Sequence, residues 1–155
     1  MPMKVIALTA ALFATPLPVL AVQPSSADAE ALAALAAEAD LAWNRRDAPA
    51  MTGVYTPGAS LIVGQMPAPR EGQAQIGDYI VRAFAGRDGE FRHVTRLRRM
   101  EMVGPDLAVT DAVVDVDRRQ PDGSWATVRR FDNVSVVERT AAGWRLRTVR
   151  AFPRP

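Results

Sequence analysis

Apolar positions recur at helical spacing after residue 25 and at strand spacing beyond residue 90. Leu32, Leu35, Ala36, Ala39, Ala42 and Trp43 stand three or four residues apart and share one side of a helix. Ser25 or Ser26 can accept hydrogen bonds from first-turn amides, and Asp28 and Glu30 suit the positive end of the helix. The pattern predicts a helix that runs to Asn44. A second, short helix is expected at about Ala48 to Tyr55, with Asp47 as its cap and Thr56-Pro57-Gly58 as its stop. Ala59 to Val63 reads as a strand and Gly64 to Gly72 as a loop rich in proline and glycine. Gln73 to Ala85 reads as a third helix that presents Ile76, Tyr79, Ile80 and Phe84.

Four alternating segments follow, at roughly Phe91 to Val103, Leu107 to Arg119, Trp125 to Arg139 and Trp144 to Phe152. Gly104-Pro105-Asp106, Pro121-Asp122-Gly123 and Ala141-Ala142-Gly143 supply the turns. Connections this short make sequential strands pair antiparallel. Three helices around one early strand, then a long sheet with one buried face, describe an α+β fold in two layers.

The first residues follow a different rule. Met1 to Lys4 is a short positive stretch, and Val5 to Leu20 is apolar but broken by Pro16 and Pro18. Val19-Leu20-Ala21 then places small residues where a leader peptidase cuts. The expected division is a signal peptide at 1–21 and a single domain at 22–155, in a periplasmic or secreted bacterial protein. About 16 apolar residues with two prolines fall short of the ~20 that a spanning helix needs, so no membrane association is expected after cleavage. The chain of 155 residues has 19 basic residues, 17 acidic residues and no cysteine. Disulfides and thiolate metal sites are therefore excluded. Without Lys4 the charge is +1, carried by 18 arginines against 17 acids, which is no footprint for nucleic acid.

Ala42-Trp43-Asn44-Arg45-Arg46-Asp47, Val54-Tyr55 before a strand, and Glu71-Gly72-Gln73-Ala74-Gln75-Ile76 opening a helix together resemble the SnoaL-like group of the nuclear transport factor 2-like superfamily. Pro105-Asp106-Leu107-Ala108-Val109 and Gly143-Trp144-Arg145-Leu146 continue the pattern, and within the group the chain resembles the SgcJ/EcaC-type oxidoreductases. The resemblance implies a curved antiparallel sheet wrapped around about three N-terminal helices, a cone with a pocket at its wide end, and frequent homodimers. It implies no single activity, since the fold hosts enzymes, adaptors and binders. The carboxylate base of the superfamily's ketosteroid isomerases corresponds to Val63 and their oxyanion tyrosine to Ala39, so steroid isomerase chemistry is not expected. Relatives in the oxidoreductase group carry a histidine where this chain has Arg150, and arginine does not exchange protons near neutral pH.

In such a cone, polar residues within an inward row mark the pocket. Strict alternation from Ala126 puts Arg130 and Asp132 on the inward row with Val128, Val134 and Val136, and alternation from Trp144 brings Arg150 and Phe152 inward with Leu146 and Thr148. The charged residues are then an ion pair, with Arg150 facing Asp132, or a ligand-binding lining, or the sign of a shifted register. His93, the only histidine, shares parity with Thr95 and Leu97 and is a candidate general acid or base, or else a packed ring. One histidine without clustered carboxylates makes no zinc site. Asp111, Asp115 and Asp117 alternate with Ala112, Val114 and Val116 and are expected on the outer face, paired with arginines near Arg129 and Arg130. Trp43 and Tyr55 are core residues whose polar tips can reach the cavity. Phe131 and Val137, alternating with Thr127, Arg129, Asn133 and Ser135, are expected to form an exposed face that a second copy covers.

Two readings remain open at this level, neither with a cofactor. One is a binding or accessory protein that holds a small anionic or amphipathic molecule with Trp43, Tyr55, Arg130, Asn133, Arg150 and Phe152. The other is a lyase- or isomerase-type enzyme that moves a proton with His93 or Asp132.

Overall fold

The computed structural model describes residues 22–154; the expected signal peptide and its cleavage site lie outside the described residues. Helix α1 spans Ser26–Asn44, and its first turn is held by the Ser25 hydroxyl, which accepts from the Asp28 amide at 3.1 Å. Helix α2, Ala48–Gly53, is capped by Asp47 and ends earlier than its apolar pattern suggests. Val54-Tyr55 instead turns into strand β1, Tyr55–Val63. A two-residue strand β2, Arg70–Glu71, leads into α3, Gly72–Ala85. Gly72 has φ +73°, and a Cβ there would sit 3.3 Å from the Pro57 carbonyl, so this turn requires glycine.

Four long strands complete the chain: β3 at Phe91–Gly104, β4 at Leu107–Arg119, β5 at Trp125–Thr140 and β6 at Gly143–Pro153. They pair antiparallel in sequence order, as their short turns require. β1 then adds to β6 in parallel, giving a six-stranded mixed sheet in the order β2-β1-β6-β5-β4-β3. Its concave face buries Ala108, Val137, Val149 and Leu61 against Leu32 and Leu35 of α1, Val54, and Ile76 and Ile80 of α3. The fold is α+β, an open cone with helices inside the curve.

Helix α1 also closes the free edge of the sheet. Strand β3 has a neighbour on one side only, and its unpaired backbone groups would template another chain. Asn44 accepts from the His93 amide at 2.6 Å and donates to the His93 carbonyl at 3.1 Å. One turn earlier, Asp40 accepts from both the amide and the hydroxyl of Thr95, each at 2.7 Å. Further along β3, Val22 pairs with Met102.

Single extra residues bend three of the long strands. Arg98 in β3, Val128 in β5 and Arg147 in β6 have no opposite number on the adjoining strand. Each bulge reverses the inward-outward alternation beyond it. β5 therefore turns Arg129, Phe131, Asn133 and Ser135 inward and Arg130, Asp132 and Val134 outward, the reverse of the face expected from Ala126. β6 turns Val149 and Ala151 inward, leaving Arg150 and Phe152 outside.

The outer face is a ladder of charges. Asp115, 5 % exposed, accepts from Arg130 Nε at 2.5 Å and also pairs with Arg96. Asp117 accepts from Arg92 at 3.0 Å and from the Thr127 hydroxyl at 2.8 Å. The row expected outside is outside, but the arginine stems cover it. The Arg130 hydrogen bonds, reinforced by Arg96, hold the Asp115 carboxyl down at about 2. A carboxylate lowered on folding stabilises the protein fully above its unfolded value of about 4, and that stability is lost as the pH falls towards 2. Asp115→Asn should flatten that acid limb in thermal melts between pH 4 and 2; an unchanged limb would show that Asp115 does not carry it.

Candidate functional site

The concave face leaves a cavity of about 160 Å³ between the sheet, α1 and α3. Its wall is mostly apolar: Leu32, Leu35 and Ala39 from α1, Leu61 and Val63 from β1, Ala112 and Val114 from β4. Ala39 and Val63, the two positions compared with the isomerases, both line it and bring no polar group.

Polar groups enter at particular depths. At one end, Arg87, in the turn after α3, lays its guanidinium 4.8 Å from the centroid of the Trp43 ring and 5.6 Å from that of Phe91. Arg87 is partly buried, forms no salt bridge among the described residues, and its Nη1 is buried without a partner. Desolvation lowers its pKa, and Arg129 and Arg46 push the same way. Arg129 also lines the cavity and has no carboxylate partner among the described residues. Tyr79 completes this end, its pKa raised by burial against the opposing fields of Arg87, Arg129 and Arg70, so it remains a hydrogen-bond donor. This end of the cavity thus gathers two guanidinium groups and a phenol, with no salt bridge to either arginine among the described residues.

Asn133 lies deeper. It stands four residues beyond Arg129 on β5, about 13 Å at ~3.3 Å per residue. Its Oδ1 is buried without a partner. Behind it, Thr110 and Ser135 face one another across β4 and β5.

His93 stacks on Trp43 with ring centroids 4.0 Å apart and planes 15° apart. Loss of water, helped by the nearby Arg87 charge, drops its pKa to about 3. The ring is therefore neutral near pH 7 and cannot act as a general acid there. Asp40 also lines the cavity, and burial raises its pKa despite its bonds from Thr95. Tyr55 lies in the wall, and removal from water raises its pKa.

The remaining expected site residues are elsewhere. Arg130 is bound to Asp115 on the outer face. Asp132, also outside, accepts two bonds from Arg154 at 2.6 Å and so meets neither Arg150 nor the cavity. Arg150 donates to the carbonyl and hydroxyl of Ser60 at 3.1 and 3.0 Å. Phe152 is exposed. Conversely, Arg129, Phe131, Asn133, Ser135 and Val137, expected on the exposed face, line the cavity. Arg87 and Asp40 carry no sequence signal for this position, and Tyr79 carries only its place on the apolar face of α3. Only the packing of α1 and α3 inside the cone brings them to it.

No protein-family model matches the chain, and no curated protein sequence matches it. Solved structures do. A cystatin-like domain of unknown function from Nostoc punctiforme superposes with a TM-score of 0.73 at 19% identity, covering 85% of this chain and 80% of that one. A nuclear transport factor 2-like protein from Novosphingobium aromaticivorans superposes at 0.68 with 23% identity, covering 82% of each chain. A ketosteroid isomerase-like protein from Erwinia carotovora gives 0.67 at 16% identity, covering 84% and 99%. These likenesses show a cystatin-like, nuclear transport factor 2-like fold. At these identities they show the fold alone and reach no finer subgroup.

A histidine kept neutral by folding makes stability pH-dependent in a definite direction. Below about 6.5 the unfolded chain takes up a proton that the folded ring refuses until about 3, so stability falls with pH by up to about 1.4 kcal/mol per unit. His93→Phe should keep the stack on Trp43 and remove that slope between pH 6.5 and 4.5 in urea titrations. A slope equal to the parent's would show His93 already protonated in the fold.

Proposed function

We propose that the protein binds a small organic anion in the cavity, its carboxylate or equivalent group held by Arg87 and Arg129 and its apolar body by the wall. The observation that carries this reading is the Arg87 guanidinium, partly buried, with one donor nitrogen unpartnered and no salt bridge among the described residues. Other arginines meet carboxylates, Arg130 at Asp115, Arg92 at Asp117 and Arg154 at Asp132, and Arg70, whose Nε is also unpartnered, does not line the cavity. An unpaired, desolvated cation is costly, and a ligand anion would offset that cost. An apolar cavity of about 150 Å³ accommodates a benzene-sized body, which sets the ligand's scale.

A second reading is proton transfer on the same ligand, as in a lyase or isomerase. It rests on Asp40, the carboxylate on the cavity wall whose pKa is raised, with neutral His93 two residues before its Thr95 partner. Asp132, on the outer face, has no part in it.

The expected measurement is calorimetry of benzoate, hexanoate and neutral benzyl alcohol against the parent and Arg87→Met. The acids should bind the parent and weaken at least ~10-fold in the variant, with the alcohol unaffected. Since Arg87 pairs with no carboxylate that its loss would strand, and methionine can still pack on Trp43, the variant's stability should stay within about 1 kcal/mol of the parent or rise. Strong destabilisation, with no response of the parent to either acid, would refute the anion site. If the acids are also turned over, Asp40→Asn should abolish conversion while preserving binding.

The same reading includes export and self-association. The outer face carries exposed Val128, Val134 and Phe152 among charges of both signs, a surface complementary to a copy of itself across a two-fold axis. Native mass spectrometry of protein recovered from the periplasm should show a chain that begins at Val22 at twice the monomer mass. Intact Met1, or a monomer at micromolar concentration, would remove the corresponding half of this reading.

A further inference from the structure

The deep end of the cavity carries a polar group that the anion site does not use. Asn133 Oδ1 is buried without a hydrogen-bond partner, and a buried amide oxygen left unpaired loses its bonds to water with nothing in return. The Thr110 and Ser135 hydroxyls lie next on the same face, but neither bonds it. Ala112 and Ala151 are its direct cross-strand neighbours and Val63 lies one strand further, all apolar. Phe131 stands between Asn133 and Arg129 on the same inward row, so the path from amide to guanidinium runs over an aromatic face.

We propose, on the footing of the anion reading above, that Asn133 selects ligands bearing a hydroxyl at the end opposite the acid. A hydroxyl both donates and accepts, so it satisfies Oδ1 and can also receive a bond from the same amide's nitrogen. The ligand class is then a ring-sized hydroxy acid, lying along Phe131 with its acid group at Arg87 and Arg129. A site built to bond a hydroxyl discriminates against an analogue without one, because the buried amide is then left unpaired.

Isothermal titration of benzoate, 4-fluorobenzoate, 4-hydroxybenzoate and phenol into the parent and into Asn133→Leu separates the two claims. The parent should prefer 4-hydroxybenzoate to the similarly sized 4-fluorobenzoate by about tenfold. Asn133→Leu should lose or reverse that preference while still binding benzoate, which also shows that the variant is folded. Equal affinities in the parent, or a preference that survives in Asn133→Leu, would overturn the assignment of Asn133 while leaving the anion site standing. Binding of phenol that depends on Asn133, with no binding of benzoate, would uphold Asn133 and refute the anion site. No binding of any of the four compounds would overturn both.

Discussion

A six-stranded sheet encloses a cavity only if it bends, and here the bending is done by single residues without partners. Arg98, Val128 and Arg147 each lengthen one strand against its neighbour, adding local twist and curving the sheet over α1 and α3. β4 carries the matching residues without an insertion of its own beside Arg98 and Val128, and its alternation runs unbroken from Ala108 to Val116. The same insertions select what the cavity contains. Beyond Val128, Arg129 and Asn133 turn inward while Arg130 and Asp132 turn out; beyond Arg147, Val149 and Ala151 replace Thr148 and Arg150.

The arginines divide accordingly. Most of those described on the convex face meet acids: Arg96 and Arg130 converge on Asp115, Arg92 meets Asp117 and Arg154 meets Asp132, whereas Arg150 bonds Ser60. Arg87 and Arg129 meet none, being separated from that ladder by the thickness of the sheet. Arg87 is supported only by aromatic rings, Trp43 and Phe91. Cation–π contacts of this kind are worth about 0.5–2 kcal/mol, less than a desolvated charge demands. On the proposed reading a ligand anion would offset this imbalance; the same Arg87 charge adds to burial in suppressing protonation of His93. The neutrality of the stacked imidazole follows from its removal from water together with this local excess of positive charge.

Helix α1 joins the edge of the sheet to the cavity. Asp40 and Asn44, one turn apart, satisfy the exposed backbone of β3, while Trp43 between them supplies the aromatic wall against which His93 and Arg87 rest. The Trp43-Asn44 pair in the first recognisable motif thus has a local explanation. One residue packs the cavity and the next seals the strand beside it.

The sequence alone determined what depends on neighbours a few residues apart. The helical period and serine cap set α1, the glycine and proline turns set the meander, and the regular alternation of β4 placed Asp111, Asp115 and Asp117 outside. His93 was legible on the concave row for the same reason, since it precedes the Arg98 bulge. Arg130, Asp132, Arg150 and Phe152 were misplaced because each follows a bulge, and inserting one residue into a period of two exchanges the faces with no change in composition. Whether a strand contains such an insertion is decided by its fit to the partner strand and to the layer packed upon it. Arg87, Tyr79 and Asp40 depended still more on the tertiary structure. They come from a turn and two helices distant in sequence, and only the closing of α1 and α3 into the curved sheet gives them a common cavity and removes the water that would otherwise make them ordinary surface groups.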